Sequence, residues 1–161
     1  MTDEPPIKIR DAARVRFAPP LVFALAIGLG VVAEWLGPYR EQLPAIVRWP
    51  LAVILAAIAI WLLASALGGF RKTGQNPAPW TSTPSLVLSG PYRFTRNPMY
   101  VGMTLLQIAI GVAASAIAIV VLAFAALAVI HVIAVLPEEA YLVRKFGEEY
   151  ERYCARVRRY V

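Results

Sequence analysis

Three short polar groups in the sequence carry side chains that could bind a charged ligand. The first reads GPYRFTRNPMYVG, from Gly90 to Gly102. The second is the pair Glu138 and Glu139, and the third reads FGEEYERY, from Phe146 to Tyr153. A long apolar stretch separates the first group from the other two. If that stretch folds back on itself, all three groups lie at the same edge of the molecule.

The residue types in these groups suit a zwitterionic ligand that carries an aromatic ring. Arg93 or Arg96 can pair with a carboxylate, in the best geometry through two hydrogen bonds. A glutamate can accept from sugar hydroxyls or face a cation, and tyrosine rings offer stacking and cation–π attraction. Gly102 leaves space beside the backbone.

Composition identifies the class of protein. Of 161 residues, 59% are hydrophobic and 16% are charged, and the length allows one domain, residues 1–161. A soluble domain of this size could not bury so much apolar surface, so we expect an integral membrane protein. The single cysteine and single histidine, Cys154 and His131, predict neither a disulfide framework nor a metal site. The polar first sixteen residues and the long apolar stretch after them predict no cleavable signal peptide.

The apolar stretches predict an all-α protein of about four transmembrane helices. Residues 17–37 and 49–69 are each long enough to cross a hydrocarbon core of about 30 Å. Residues 101–137 would reach about 55 Å as one helix, so we expect a tight hairpin with its turn at 111–115. Glu34, in the first span, is predicted to snorkel or to pair helices near the outer face. The glycines Gly28 and Gly30 lie inside that span, which argues against a Rossmann-type nucleotide loop.

The distribution of basic residues predicts the orientation. Fourteen of the sixteen lysines and arginines fall on one side: Lys8, Arg10, Arg14, Arg16, Arg71, Lys72, Arg93, Arg96, Arg144, Lys145, Arg152, Arg156, Arg158 and Arg159. Only Arg40 and Arg48 fall on the other. The positive-inside rule then places both termini and the 70–100 loop in the cytoplasm. The net charge of +6 is therefore explained by topology, and no nucleic-acid partner is expected.

Two segments lie outside the spans. Residues 70–98 contain five prolines and predict an ordered loop. Residues 138–161 predict one amphipathic helix on the cytoplasmic leaflet, because apolar side chains recur every three or four residues: Leu142, Phe146, Tyr150, Tyr153 and Val157. The bases of this tail, Arg159 included, are expected to supply only general positive charge.

The motifs in residues 86–161 resemble the isoprenylcysteine carboxyl methyltransferase and phospholipid methyltransferase superfamily. Its pattern is R-H-P-x-Y-x-G, a hydrophobic hairpin, E-E-x-x-L and F-G-x-x-Y; the chain has RNPMYVG, EEAYL and FGEEY. The resemblance implies a small, prokaryotic member in a bacterial inner membrane. It would transfer a methyl group from S-adenosylmethionine to a membrane lipid or lipidated small acceptor, leaving S-adenosylhomocysteine.

The resemblance also implies the site residues. The cofactor-binding set is Tyr92, Arg96, Asn97, Pro98, Tyr100, Gly102, Glu139 and Tyr150. Glu138 and Arg144 would serve the acceptor, Arg144 by holding a carboxylate and Glu138 by taking a proton from an amine or thiol. His131 is the other candidate base, because it precedes Glu138 by seven residues and should share its helix face.

One departure from the pattern leaves alternatives open. Asn97 stands where the family has histidine, and an amide cannot change charge near neutral pH. Carboxyl O-methylation, as in isoprenylcysteine methyltransferases, is the first expectation. N-methylation of a phospholipid or small amine is the alternative, and a non-catalytic scaffold or lipid-binding protein is a second alternative.

Overall fold

The structure, a computed structural model, describes residues 11–13, 15, 17–37 and 43–160. Five of the bases used for the orientation lie outside these residues: Lys8, Arg10, Arg14, Arg16 and Arg40. The described chain is helical and contains no β-strand. The predicted all-α class is confirmed.

Four apolar helices form the body of the protein. Helices α1 (Pro19–Leu36) and α2 (Ala45–Lys72) are long and apolar enough to cross a membrane. Helix α3 (Pro98–Ala114) is apolar but shorter, with 17 residues. Helix α4 (Ile117–Ile130) continues through a π-helical turn, His131–Val135, into α5 (Leu136–Phe146), and together they form a third long span. The lengths and apolar compositions of these helices are those expected of an integral membrane protein.

The hairpin between α3 and α4 turns at Ser115 and Ala116. Ser115 has φ +53°, and the backbone N–H of Ala116 donates to the Gly111 carbonyl at 2.8 Å, a left-handed helix cap. The predicted hairpin is therefore present, but most of its predicted turn, residues 111–114, remains helical. Small residues permit close packing without ending a helix, whereas a left-handed residue ends it.

The helices approach one another closely at glycines. Contacts join α1 to α4, α2 to α3, and α3 to α4. A Cβ at Gly30 would lie 2.7 Å from the Ile119 side chain and 2.9 Å from its Cα. A Cβ at Gly111 would similarly lie 2.7 Å from Val120. Small residues at such crossings allow the dispersion contacts that hold membrane helices together.

We expect Gly30→Ala to destabilise the fold by about 1–3 kcal/mol, the usual cost of overpacking against atoms that cannot move freely. Gly28, on the same helix, is a matched control because a Cβ there meets nothing within 4 Å. Gly28→Ala should leave the unfolding temperature in detergent unchanged or slightly raised. Equal effects of the two substitutions would show that the α1–α4 crossing is not tightly packed.

Polar contacts at the hairpin end also join the helices. The Glu34 carboxylate accepts from the backbone N–H of Ala118 at 2.8 Å, in the first turn of α4. Arg48 donates to the Ser115 hydroxyl at 3.2 Å. Acidic groups are favourable at helix N-termini. Glu34 therefore pairs helices, as predicted.

The C-terminal region differs from its prediction. A single helix over 138–161 is wrong, because α5 is the end of the third long span and stops at Phe146. Gly147, with φ +52° and ψ −127°, redirects the chain into α6 (Glu148–Arg156). The chain then leaves the helix at Val157, whose backbone is extended, and Arg158 forms a parallel β-bridge with Thr95. Of the periodic side chains, Tyr150 is buried and the other four are half-buried.

Candidate active site

A cavity of about 300 Å³ lies where α3 begins and α5 leaves the span. Its walls come from the start of α1, the end of α2 with the loop that follows, the 92–103 segment, α5 and α6. The cavity thus joins all three polar groups of the sequence. Seven of the residues predicted to bind cofactor line it: Tyr92, Arg96, Asn97, Pro98, Tyr100, Glu139 and Tyr150.

The first polar group reaches the cavity through a tight turn. A 3₁₀ turn, Gly90–Arg93, precedes Asn97, and Pro98 begins α3, a position that suits proline because its missing N–H needs no partner. The Tyr92 ring packs edge-to-face on Phe70, with 6.0 Å between ring centroids. Burial raises the pKa of Tyr92, and the charge of Glu138 raises it further. Tyr92 therefore offers a neutral ring.

Glu138 is held by a tyrosine and not by a cation. The Tyr100 hydroxyl donates to Oε1 of Glu138 at 2.5 Å. Tyr100 itself is 6% exposed. Within the described residues, no basic side chain lies within salt-bridge distance of Glu138. The cavity therefore contains a carboxylate whose charge is not balanced by a direct ion pair.

Glu139, by contrast, is bound by two arginines. Arg159 donates from Nη2 at 2.7 Å and from Nε at 3.1 Å, and Arg96 Nη1 lies 3.1 Å from Oε1. The hydrogen bond to Glu139 raises the pKa of Arg159. The expectation that Arg159 supplies only general charge is wrong, because its guanidinium makes a two-point contact with a side chain that lines the cavity.

Arg96 is the arginine of the motif that reaches the cavity. Its side chain is 14% exposed, and its Nη1 also donates to Cys154 Sγ at 2.8 Å. Its Nε is buried and has no hydrogen-bond partner in the described part of the chain. Arg93 is exposed and does not line the cavity. Of the two arginines, only Arg96 is placed to meet an anionic group there.

Asn97 lines the cavity but directs its amide group towards the tail. Its Nδ2 donates to the Arg159 carbonyl at 3.0 Å, and its backbone N–H donates to the Thr95 hydroxyl at 3.2 Å. The side chain is 8% exposed. Its amide nitrogen and its backbone N–H are thus engaged within the protein.

Three predicted site residues lie outside the cavity. Gly102 packs against Leu63 of α2, and Arg144 is exposed, with its guanidinium carbon 6.0 Å from the Tyr141 ring centre. His131 Nδ1 lies 2.8 Å from the Tyr160 hydroxyl. The π turn between His131 and Glu138 changes the expected register, because a π turn contains more residues than an α turn. The seven-residue interval from His131 to Glu138 therefore does not correspond to two α turns. Of these two residues, only Glu138 lines the cavity.

The structure adds residues that sequence reasoning missed. Trp80, Phe70 and Tyr141 line the cavity, beside Tyr153 of the third polar group. The Tyr141 hydroxyl donates to Asp11 Oδ1 at 3.0 Å and accepts from the Thr83 N–H at 3.2 Å. Hydrogen bonds lower the pKa of Asp11 to about 2, and the hydrogen bond from Lys145 has the largest effect. One signal for these residues was available in the sequence: Trp80 is a large aromatic residue between prolines in a polar loop.

A comparison with known protein families identifies the family of the chain. A family model described as phospholipid methyltransferase matches residues 47–149, nearly two thirds of the chain, from α2 to the first turn of α6. No curated protein and no solved structure matches the chain. The match confirms the resemblance to the isoprenylcysteine and phospholipid methyltransferase superfamily. The chain therefore belongs to the phospholipid methyltransferase family of membrane methyltransferases.

Proposed function

We propose that this protein is an S-adenosylmethionine-dependent methyltransferase that methylates the amino head group of a lipophilic acceptor at the cytoplasmic membrane face. The supporting observation is Glu138, a carboxylate without a cationic partner in the described chain, in a cavity lined by aromatic rings. Carboxylates and aromatic faces attract cations. Both the sulfonium of the donor and a protonated amine are cationic.

The residues present fit this cofactor. Arg96 lines the cavity and gives it a guanidinium group that can donate to a carboxylate. The rings of Tyr92 and Tyr150 offer faces for an adenine, and burial raises the pKa of Tyr150, so that its ring is neutral. Arg96, Tyr92, Tyr100, Glu139 and Tyr150 are the proposed binding set. Pro98 shapes the wall, and Gly102 supports α3 from behind.

When bound, S-adenosylmethionine supplies an activated methyl group. The protein's own work is to orient the acceptor, exclude water and remove a proton. Glu138 Oε1 is occupied by the Tyr100 hydroxyl, which fixes the carboxylate and leaves Oε2 to accept a proton from an ammonium group. Tyr100 is thereby a positioning residue for the proposed base.

An amine acceptor agrees better with the cavity than a carboxylate acceptor does. Arg144, the residue expected to hold a carboxylate, is exposed and outside the cavity. Arg96, the arginine that lines the cavity, is the one proposed to hold the carboxylate of the cofactor. An anionic acceptor would meet the uncompensated charge of Glu138, whereas a cationic head group would be attracted by it.

An apolar groove supports entry of the acceptor from the bilayer. It runs between α1 and α4 and is lined only by apolar side chains, among them Leu21, Leu25, Leu122, Val129 and Ile133. The first turn of α1 contributes to both spaces, since Pro19 and Pro20 line the cavity and Leu21 lines the groove. An acyl chain lying in the groove would bring its head group towards Glu138.

Sealed membrane vesicles test this proposal. Isotopically labelled S-adenosylmethionine, which does not cross a bilayer, should label amino-lipids in inverted vesicles and not in right-side-out vesicles. Vesicles from cells without the protein are the control. Base-labile methyl esters in place of N-methyl groups would support the carboxyl O-methylation alternative. Absence of both labelling and cofactor binding would support a scaffold.

A further inference from the structure

The last four described residues, Val157 to Tyr160, lie behind the cavity wall and contact it from outside. None of the four lines the cavity itself. The backbone N–H of Arg96 donates to the Arg158 carbonyl at 2.9 Å, beside the bridge between Thr95 and Arg158. The Thr95 hydroxyl donates to the Arg159 carbonyl at 3.1 Å. This segment thus extends along the chain just before α3.

Side chains fasten the segment at three further points. The Asn97 amide donates to the Arg159 carbonyl at 3.0 Å. The Arg159 guanidinium binds both carboxylate oxygens of Glu139, Oε1 through Nε and Oε2 through Nη2. The Tyr160 hydroxyl lies 2.8 Å from His131 Nδ1. The segment therefore ties the chain just before α3 to α5 and to the π turn.

We infer that Val157–Tyr160 is a clasp that holds the cofactor wall in place, and that Asn97 and Arg159 act as positioning residues through it. Arg96 and Glu139 face the cavity, and the clasp binds the backbone of the first and the carboxylate of the second. Releasing it would free Glu139 and Arg96 to move. The effect on cofactor retention rests on the proposed function; the clasp contacts do not.

The clasp explains what an asparagine does at position 97. The contact needs a donor, because its partner is a carbonyl oxygen. Asn97→Asp keeps the size of the side chain, but an ionised carboxylate has no donor and repels that carbonyl. Arg159→Gln removes the ion pair at a side chain that is 38% exposed, where substitution leaves the helices intact.

Cys154 gives a native probe of clasp opening. It is the only cysteine in the sequence, is half-buried on α6, and its Sγ contacts Arg96. The rate at which a maleimide labels it should rise about tenfold in Asn97→Asp and in Arg159→Gln, the factor for loss of one hydrogen bond or ion pair. Arg156→Ala, at an exposed base just before the clasp, should label at the wild-type rate.

The same variants separate the clasp from the proposed function. S-adenosylhomocysteine should slow labelling of the wild type and bind the two clasp variants about tenfold more weakly. Wild-type labelling rates in both Asn97→Asp and Arg159→Gln would overturn the clasp, and a faster rate in Arg159→Gln alone would overturn the role of Asn97. Fast labelling of both, with no effect of S-adenosylhomocysteine on the wild type, would retain the clasp and reject the proposed function.

Discussion

Glu138→Gln should abolish most methyl transfer while S-adenosylhomocysteine binds almost as tightly as to the wild type. The amide oxygen can still accept from the Tyr100 hydroxyl, but it cannot take a proton. A general base contributes about 10²–10⁴-fold to rate, and we expect a loss of that size in turnover at saturating cofactor. The product lacks the sulfonium charge, so its affinity should depend little on Glu138. Turnover assays and calorimetry in detergent measure the two quantities.

Glu148→Gln is the matched control for this substitution. Glu148 is an exposed glutamate at the start of α6 and does not line the cavity, so turnover and binding should both be unchanged. Loss of S-adenosylhomocysteine binding in Glu138→Gln would instead assign Glu138 to the cofactor. Normal turnover in the same variant would exclude Glu138 as the base.

Arg96→Ala should weaken S-adenosylhomocysteine binding by about 1.5–3 kcal/mol, or roughly 10- to 150-fold. This is the usual size of a hydrogen bond to a charged group, and Arg96 is the arginine of the motif that lines the cavity. The loss should appear in calorimetric affinity and, with substrate, as a higher apparent constant for the cofactor. Arg159 would still pair with Glu139, so the wall loses one of its two ion pairs.

Arg93→Ala provides the comparison, because the two arginines lie three residues apart in one motif. Arg93 is exposed and outside the cavity, so its loss should leave the affinity near that of the wild type. Equal losses in the two variants would contradict a specific role for Arg96. They would indicate that both arginines serve only as membrane anchors.

Local signals in the sequence were sufficient to predict the span regions and the hairpin. The 101–137 stretch was too long for one crossing, and the structure folds it at Ser115. The separation of Glu138 from Glu139 also followed from local geometry, since neighbours on a helix point about 100° apart. They do have different partners: Tyr100 for the first, and Arg96 with Arg159 for the second.

Contacts between distant segments could not be predicted in the same way. Arg159 meets Glu139 only because Gly147 adopts a positive φ and turns α6 back towards α3. A helix continued through Gly147 would have carried Arg159 away from the bundle. The position of Trp80 at the cavity similarly depends on the path of a loop, and the sequence of that loop has no periodic pattern. The π turn after Ile130 has no sequence signature, yet it determines that Glu138 and not His131 lines the cavity.

The length of the third long helix fixes the depth of Glu138 in the membrane. Glu138 follows the first residue of α4, Ile117, by 21 residues, which corresponds to about 32 Å for an uninterrupted α-helix and to slightly less with the π turn. The hydrocarbon core is about 30 Å thick, so a turn at the far face puts Glu138 at the opposite boundary. The proposed acceptor, with its nitrogen at the level of the lipid head groups, would therefore reach this carboxylate without leaving its leaflet.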